Sequence, residues 1–345
     1  MATLDVTIRG AGIFGLSIAW ACLKRGVKIR VIDTHGIGAG ASGGIVGALA
    51  PHTPELWEPK KEFQFQSLIM AADFWGEVDQ TSNLASGYGR LGRLQAIDNA
   101  HLLDLAKTRE GSAAELWRGQ ASWQVIKAAD DWSPASATGY LVHDTLAARI
   151  HPRRACESLA TAIRSQGGDI VIGDMDISGP TVWATGYQGL LNMSETRPRV
   201  VGNGVKGQAL LLKYNAGDVP QLFANGVHII PHADGTVAIG STSERYFDDP
   251  TTTDDQLNEV LARALTICPL LCDAPILQRW AGVRPRARTR APMLGAWPDK
   301  PETFIANGGF KIGFGMAPKV AEVMADLILD GNDNIPEGFR VTDNF

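Results

Sequence analysis

The stretch Val6-Thr-Ile-Arg9 followed by Gly10-Ala-Gly12-Ile-Phe-Gly15 constrains the fold of this chain more than any other. Val6 to Arg9 reads as a short strand, and the glycines then turn the chain into a helix whose apolar positions include Leu16, Ala19, Trp20 and Leu23. Gly26 closes that helix, and Val27-Lys-Ile-Arg-Val-Ile32 forms a second strand ending in Asp33. Strand, helix and strand predict a right-handed crossover between parallel neighbours. The three glycines of Gly-x-Gly-x-x-Gly serve different ends, namely a tight turn, approach of a pyrophosphate to bare backbone, and close packing of helix on strand. The helix start offers free N–H groups and the positive end of its dipole to a diphosphate. Asp33, about 20 residues past the glycines, can accept hydrogen bonds from ribose hydroxyls and disfavours a 2′-phosphate. With strand, helix and acid in register, the unit predicts dinucleotide binding.

Composition narrows the remaining classes. Glycine supplies 38 of 345 residues, and positions 36, 38, 40, 43, 44 and 47 form a loop too flexible for regular structure yet too apolar, through Ile45, Val46, Ala48, Leu49 and Ala50, for a linker. That loop is expected to press against something. A formal charge of -5 gives no field for a polyanion and argues against nucleic acid as the main partner. Cys22, Cys156, Cys268 and Cys272 are too few and scattered for a disulfide framework, and no His or Cys completes a metal set around the last two. No apolar run reaches the ~20 residues of a membrane helix and no charged-then-apolar leader opens the sequence, so a soluble, cytoplasmic protein is expected. Ser42 and Ser241 belong to no Gly-x-Ser-x-Gly elbow.

Further along, the spacing of Phe63, Leu68, Ile69, Ala72, Trp75 and Val78 predicts a helix over 60–78, and another is predicted over 152–165. Gln208 to Leu212, His228 to Ile230 and Thr236 to Gly240 read as strands of a mainly antiparallel second domain. Thr253 with Gln256 fits a capping box for a helix to about Ile267, and a last helix is expected from Ala317 or Pro318 to Leu329. The fold class is α/β, a Rossmann-type domain interleaved with a mainly antiparallel β domain carrying helices. The first is expected to take 1–80, 140–200 and 296–345, and the second 81–139 and 201–295.

The fingerprint does not choose between FAD and NAD. Thr181-Val-Trp-Ala-Thr-Gly186, the loop Gly36 to Pro51 and Asn307-Gly-Gly-Phe-Lys-Ile-Gly313-Phe-Gly-Met-Ala-Pro318 do, because with the opening fingerprint they resemble the D-amino-acid oxidase and glycine oxidase superfamily of FAD enzymes. Val205-Lys-Gly-Gln208, Ile230-Pro231, Gly240-Ser-Thr-x-Glu244 and Gly282-Val-Arg-Pro285 follow in the family's order. The resemblance implies non-covalent FAD held by Gly10, Gly12, Ile13, Phe14, Gly15 and Asp33. It adds Ala41, Ser42, Gly43, Gly47, Ala48 and Leu49 along the flavin, and Ala184, Thr185 and Gly186 by the adenosine. Gly308, Gly309, Lys311, Gly313, Phe314, Gly315 and Met316 are expected at the pyrimidine edge, where a helix start near Met316 stabilises charge on the reduced ring.

For the substrate, the resemblance implies that Arg284, biased to an extended backbone by Pro285, binds a carboxylate through its fork. His228 stands where relatives often have a tyrosine, and as an imidazole its charge is expected to vary between pH 5 and 8. Lys311 falls where glycine oxidases often carry an arginine, and His52 follows Ala50-Pro51 at the expected flavin edge. Arg9 is odd in a central strand and is read as pairing with Asp33 or phosphate. The implied activity is oxidation of the C–N bond of a small amino acid or N-substituted glycine by hydride transfer to flavin N5, giving an imine and then an oxo acid. An oxidase using dioxygen is favoured over a dehydrogenase using an electron carrier; the oligomeric state stays open. Two other readings stand beside it. One is an oxidase acting on a carboxymethylaminomethyl-modified tRNA wobble uridine; the other is a flavin sensor or subunit without turnover.

Overall fold

A computed structural model describes residues 5–129 and 131–345. The opening unit folds as its pattern dictates, with strand Asp5–Arg9, helix Ile13–Lys24 and strand Lys28–Asp33. The two strands pair in parallel, Ile8 opposite Val31. Thr181–Trp183 and Thr303–Asn307 extend this sheet in parallel on one side and Asp169–Ile172 on the other, while Met293–Ala296 closes an edge antiparallel. The result is six-stranded, and Val6, Ile8, Val31 and Val182 at its centre are fully buried. Helix Ile13–Lys24 packs against Gly313–Ala325 and Pro152–Ser165, and the long helix Pro59–Ser82 lies against both of these. That stack covers the first sheet with apolar side chains such as Leu16, Leu68, Trp75, Leu159 and Met324. No helix among the described residues is long and apolar enough to cross a membrane.

The second sheet has eight strands, in the spatial order Ile276–Ala287, Gly202–Lys213, Thr236–Gly240, Val227–Pro231, Gln221–Ala224, Arg93–Ala96, Tyr140–Asp144 and Trp123–Lys127. All neighbours run antiparallel except Gln221–Ala224 with Arg93–Ala96. Helix Gln256–Ile267 buries Leu257, Val260 and Ala264 against one face. Arg93 and Asp144 lock two of the strands through a buried ion pair at 2.8 Å. The fold is thus α/β, with a parallel sheet and a mainly antiparallel one contributed by alternating parts of the chain. The two-domain division is proposed on this pairing, with two shifts: Tyr140–Asp144 belongs to the antiparallel sheet, and Met293–Ala296 to the parallel one.

Several local expectations need correction. Gln256–Ile267 has Asp255 at its N-cap without a side-chain cap bond, and Asp254 Oδ1 accepts from the Gln256 N–H at 3.0 Å, so Thr253 does not cap it. The last helix starts at Gly313, not at Met316 or Pro318, and Pro318 lies inside it. Strands near 93, 123 and 140 and helices Ala100–Leu116 and Gly186–Glu195 are additional to the sequence reading.

Candidate active site

The fingerprint turn is made of backbone in contact with backbone. Gly10 has φ +114°, and a Cβ there would stand 2.3 Å from the Ala184 carbonyl oxygen. A Cβ on Gly15 would lie 1.9 Å from the Gly10 oxygen. The N-cap, Gly12, has no side chain to offer; the first helical N–H, of Ile13, donates instead to Ser42 Oγ at 2.9 Å, which ties the glycine-rich loop to the fingerprint. Asp33 organises the same region, its Oδ2 accepting from Ala11 N–H at 2.8 Å and its Oδ1 from His35 at 2.8 Å and Gly36 at 3.0 Å. Removing that carboxylate unpairs three donors at once. Asp33→Ala is expected to weaken FAD binding about tenfold, the effect of losing roughly one good hydrogen bond. Titration of apoprotein with FAD checks this, and an unchanged dissociation constant rejects the assignment.

A cleft of about 880 Å³ runs from this turn to the junction of the two sheets. Gly10, Gly12, Ile13, Phe14 and Asp33 line one end, with Ala184, Thr185 and Gly186 beside them. Ala41, Ser42, Gly47 and Ala48 line it from the glycine-rich loop, and Gly308, Gly309, Lys311, Gly313 and Phe314 from the C-terminal turn. Gly15, Gly43, Leu49, Gly315 and Met316 do not line it. Gly15 and Gly43 instead allow close backbone packing, a Cβ on Gly43 standing 2.4 Å from the Gly38 oxygen, while Leu49 and Met316 are buried core. The loop is pressed down as expected: a Cβ on Gly47 would meet the Ile150 oxygen at 1.6 Å.

At the far end Arg284 lines the cleft. It sits opposite Val205 in the long antiparallel pair, and its guanidinium lies over Gly207, where a Cβ would fall 2.0 Å from an Nη. Its donors reach Ser241 Oγ at 2.7 Å and the Thr242 oxygen at 3.3 Å, all neutral acceptors. Burial pulls its pKa down to about 10, partly opposed by the charge of Glu244. Glu244 is itself engaged with Lys206 at 3.8 Å and with Gln208 at 3.1 Å. Among the described residues no carboxylate pairs with Arg284, and Asp33, at the opposite end, is the sole acid lining the cleft.

The other candidates divide. Lys311 lines the cleft, its pKa lowered by burial and by Arg284 and Arg286. His228 does not line it; the ring packs on Phe223 at 4.6 Å. Burial, Arg93 and Lys311 lower its pKa to about 3, so the expected change of charge between pH 5 and 8 is corrected to a neutral imidazole throughout. His52 is likewise outside the cleft, bonded through its N–H to Gln64 Oε1 at 2.7 Å and lowered in pKa by burial. Arg9 lines the fingerprint end but pairs with Asp174 at 2.8 Å, not with Asp33.

Sequence reading missed His232, 2% exposed, whose Nε2 lies 3.0 Å from the Ile45 oxygen behind the glycine-rich loop. Its pKa is lowered to about 4 by burial and His151. Histidines with folded pKa values below the unfolded value bind protons first in the unfolded state, so stability is full above about pH 6.5 and falls as acid approaches pH 3 to 4. Thermal unfolding followed from pH 7 to pH 4 is expected to show this fall, shallower in His232→Gln. A midpoint independent of pH rejects it.

Among known proteins, the model of the family described as FAD dependent oxidoreductase (DAO) matches residues 5–327. The chain is 26% identical over 357 residues to the bifunctional protein ThiO/ThiG of a Nostoc species, covering 95% of this chain and 53% of that protein. It spans about half the length of the ThiO/ThiG proteins it matches. Glycine oxidase of Bacillus licheniformis is 23% identical over 361 residues, covering 94% of this chain and 93% of that one. The crystal structure of glycine oxidase from Geobacillus kaustophilus superposes with a TM-score of 0.83 over 98% of this chain and 99% of that one, at 20% identity, which is a likeness of fold.

Proposed function

The chain belongs to the DAO family of FAD-dependent oxidoreductases, and from that premise we propose that it oxidises the C–N bond of a small amino acid or N-substituted glycine. The observation that carries this reading is Arg284, a buried cation without a carboxylate partner, in the same cleft as the glycine fingerprint. FAD fits the cradle: bare backbone at Gly10 and Gly12, a helix start whose N-cap Gly12 carries no side chain, and the Asp33 carboxylate held beside the turn by the Ala11 N–H. We take the binding to be non-covalent. The glycine oxidases among the relatives act, by name, on the simplest member of the proposed substrate class. When bound, FAD would supply a two-electron acceptor for the α-hydrogen, leaving an imine that water hydrolyses to an oxo acid.

The chain's own residues supply orientation and electrostatics. The Arg284 fork would grip the substrate carboxylate with parallel hydrogen bonds and so fix the α-carbon. No acid lines this end, and the Arg284 and Lys311 charges disfavour a substrate ammonium, so the amine would react as its neutral form. Helix Gly313–Ala325 starts at the cleft and would turn its N-terminal dipole toward developing negative charge. The decisive experiment is anaerobic bleaching of the flavin in purified holoprotein by a panel of glycine, sarcosine and D-amino acids. Bleaching by at least one of them is expected; a protein that binds FAD and bleaches with none of them refutes the reading and favours the sensor.

A further inference from the structure

Arg284 does not stand alone on its strand. In Ile276–Ala287 side chains alternate between the two faces of the sheet, so Trp280, Gly282 and Arg284 share one face, and all three line the cleft. The neighbouring strand presents Ala209 across from Trp280 and Gly207 across from Gly282, and Gly240 lies beyond Ala209. This floor is bare of side chains larger than a methyl, and two large groups lie down on it. The Arg284 guanidinium covers Gly207. The Trp280 indole covers Gly282, where a Cβ would fall 2.4 Å from Cζ2 and 2.7 Å from Cη2. Directly opposed residues of an antiparallel pair have Cβ positions about 5 Å apart, so guanidinium and indole lie side by side. The indole also reaches off the floor: a Cβ on Gly44 would stand 3.2 Å from the same Cη2. Trp280 therefore spans from the antiparallel sheet to the glycine-rich loop and walls the cleft next to the Arg284 fork.

Resting on the amine-oxidation reading above, we propose that Trp280 is the specificity-determining residue of the site, the wall that limits the substituent on the substrate's α-carbon. Arg284 fixes the carboxylate, and with it the α-carbon one bond away. The first atom of an α-substituent is two bonds from the carboxylate carbon, whereas the first atom of an N-substituent is three. The indole, as the neighbour of the fork, meets the α-substituent first. A hydrogen passes this wall and a benzyl group collides with it, and even one methylene too many in a fixed pocket costs about tenfold or more.

Glycolate and D-phenyllactate, the hydroxy analogues of glycine and D-phenylalanine, test this on the FAD-loaded protein by titration against the flavin absorption spectrum. The ratio of their dissociation constants is read, so that a general loss of affinity in a variant cancels. The unaltered protein is expected to bind glycolate at least about tenfold more tightly. Trp280→Ala should shrink that ratio severalfold, and Trp280→Phe, which keeps most of the packing, by a smaller factor. Anaerobic bleaching extends the test to amines. Relative to glycine, Trp280→Ala should gain on D-phenylalanine and change little on N-benzylglycine. Equal binding of the two acids by the unaltered protein, a ratio unchanged in both variants, or a gain as large for N-benzylglycine as for D-phenylalanine overturns the proposal. Where Trp280→Ala does not retain FAD, the ratio in Trp280→Phe decides. If glycine or sarcosine bleaches the flavin while the ratio stays fixed, this inference alone fails. If no amine bleaches it and neither acid binds, the amine-oxidation reading fails and takes the inference with it.

Discussion

Arg284→Ala is expected to leave FAD bound and to lower kcat/KM by about two to three decades, the scale of removing one member of a buried ion pair at ~3–5 kcal/mol. The loss should fall on the amine substrate and spare the absorption spectrum of the resting flavin, because Arg284 stands at the end of the cleft opposite the fingerprint. Arg284→Lys restores the charge without the fork, so affinity should recover more than the rate does. Gly207→Ala is the companion test. A Cβ at 207 would lie 2.0 to 2.2 Å from the guanidinium atoms, and the side chain can yield only by swinging its fork away. Folding should be little affected while kcat/KM falls, and the double variant should lose no more than Arg284→Ala alone, since both act through one group. Additive losses, or unchanged kinetics in Arg284→Ala, reject the carboxylate role.

The parts of this protein legible in the sequence are those whose causes are local. The opening fingerprint needs only its own glycines, one strand and one acid, and the helix predicted over 152–165 has the bounds Pro152–Ser165 because Pro152 starts it and its apolar residues share a face. Helix Ala100–Leu116 has no such stripe: only Ala106 and Ala113 are buried, so periodicity does not reveal it. The start of Gly313–Ala325 is placed too late by its sequence because a proline usually marks the first turn, whereas here Pro318 is carried inside the helix.

In the site, Arg284 is legible from the family resemblance of Gly282-Val-Arg-Pro285, but the absence of a carboxylate beside it is a property of assembled strands. Arg9 finds Asp174, a partner 165 positions away that no spacing rule connects. The charge of His228 escapes sequence reading for the same reason. Its neutrality comes from burial and from Arg93 and Lys311, which the fold brings from distant parts of the chain.

Gly15→Ala is expected to cost the protein its cofactor although Gly15 does not line the cleft. The added methyl would stand 1.9 Å from the Gly10 oxygen, with the Ile8 side chain at 3.3 Å on the other side. A collision of backbone with Cβ cannot be relieved by a rotamer, so the start of helix Ile13–Lys24 must lift from the turn. Overpacking of this kind costs ~1–3 kcal/mol, and where the displaced atoms are the N–H groups meant for a pyrophosphate, FAD affinity should fall by about one to two decades. Gly76→Ala is the control: it lies within helix Pro59–Ser82 with nothing within 4 Å of the new Cβ, and should stabilise the fold by about 0.5–1 kcal/mol through helix propensity alone. Dialysis of both variants against FAD-free buffer, followed by the ratio of flavin to protein absorbance, separates the outcomes. If Gly15→Ala retains flavin as Gly76→Ala does, the fingerprint turn is not the part of the chain that grips the diphosphate, and the assignment of that end of the cleft is wrong.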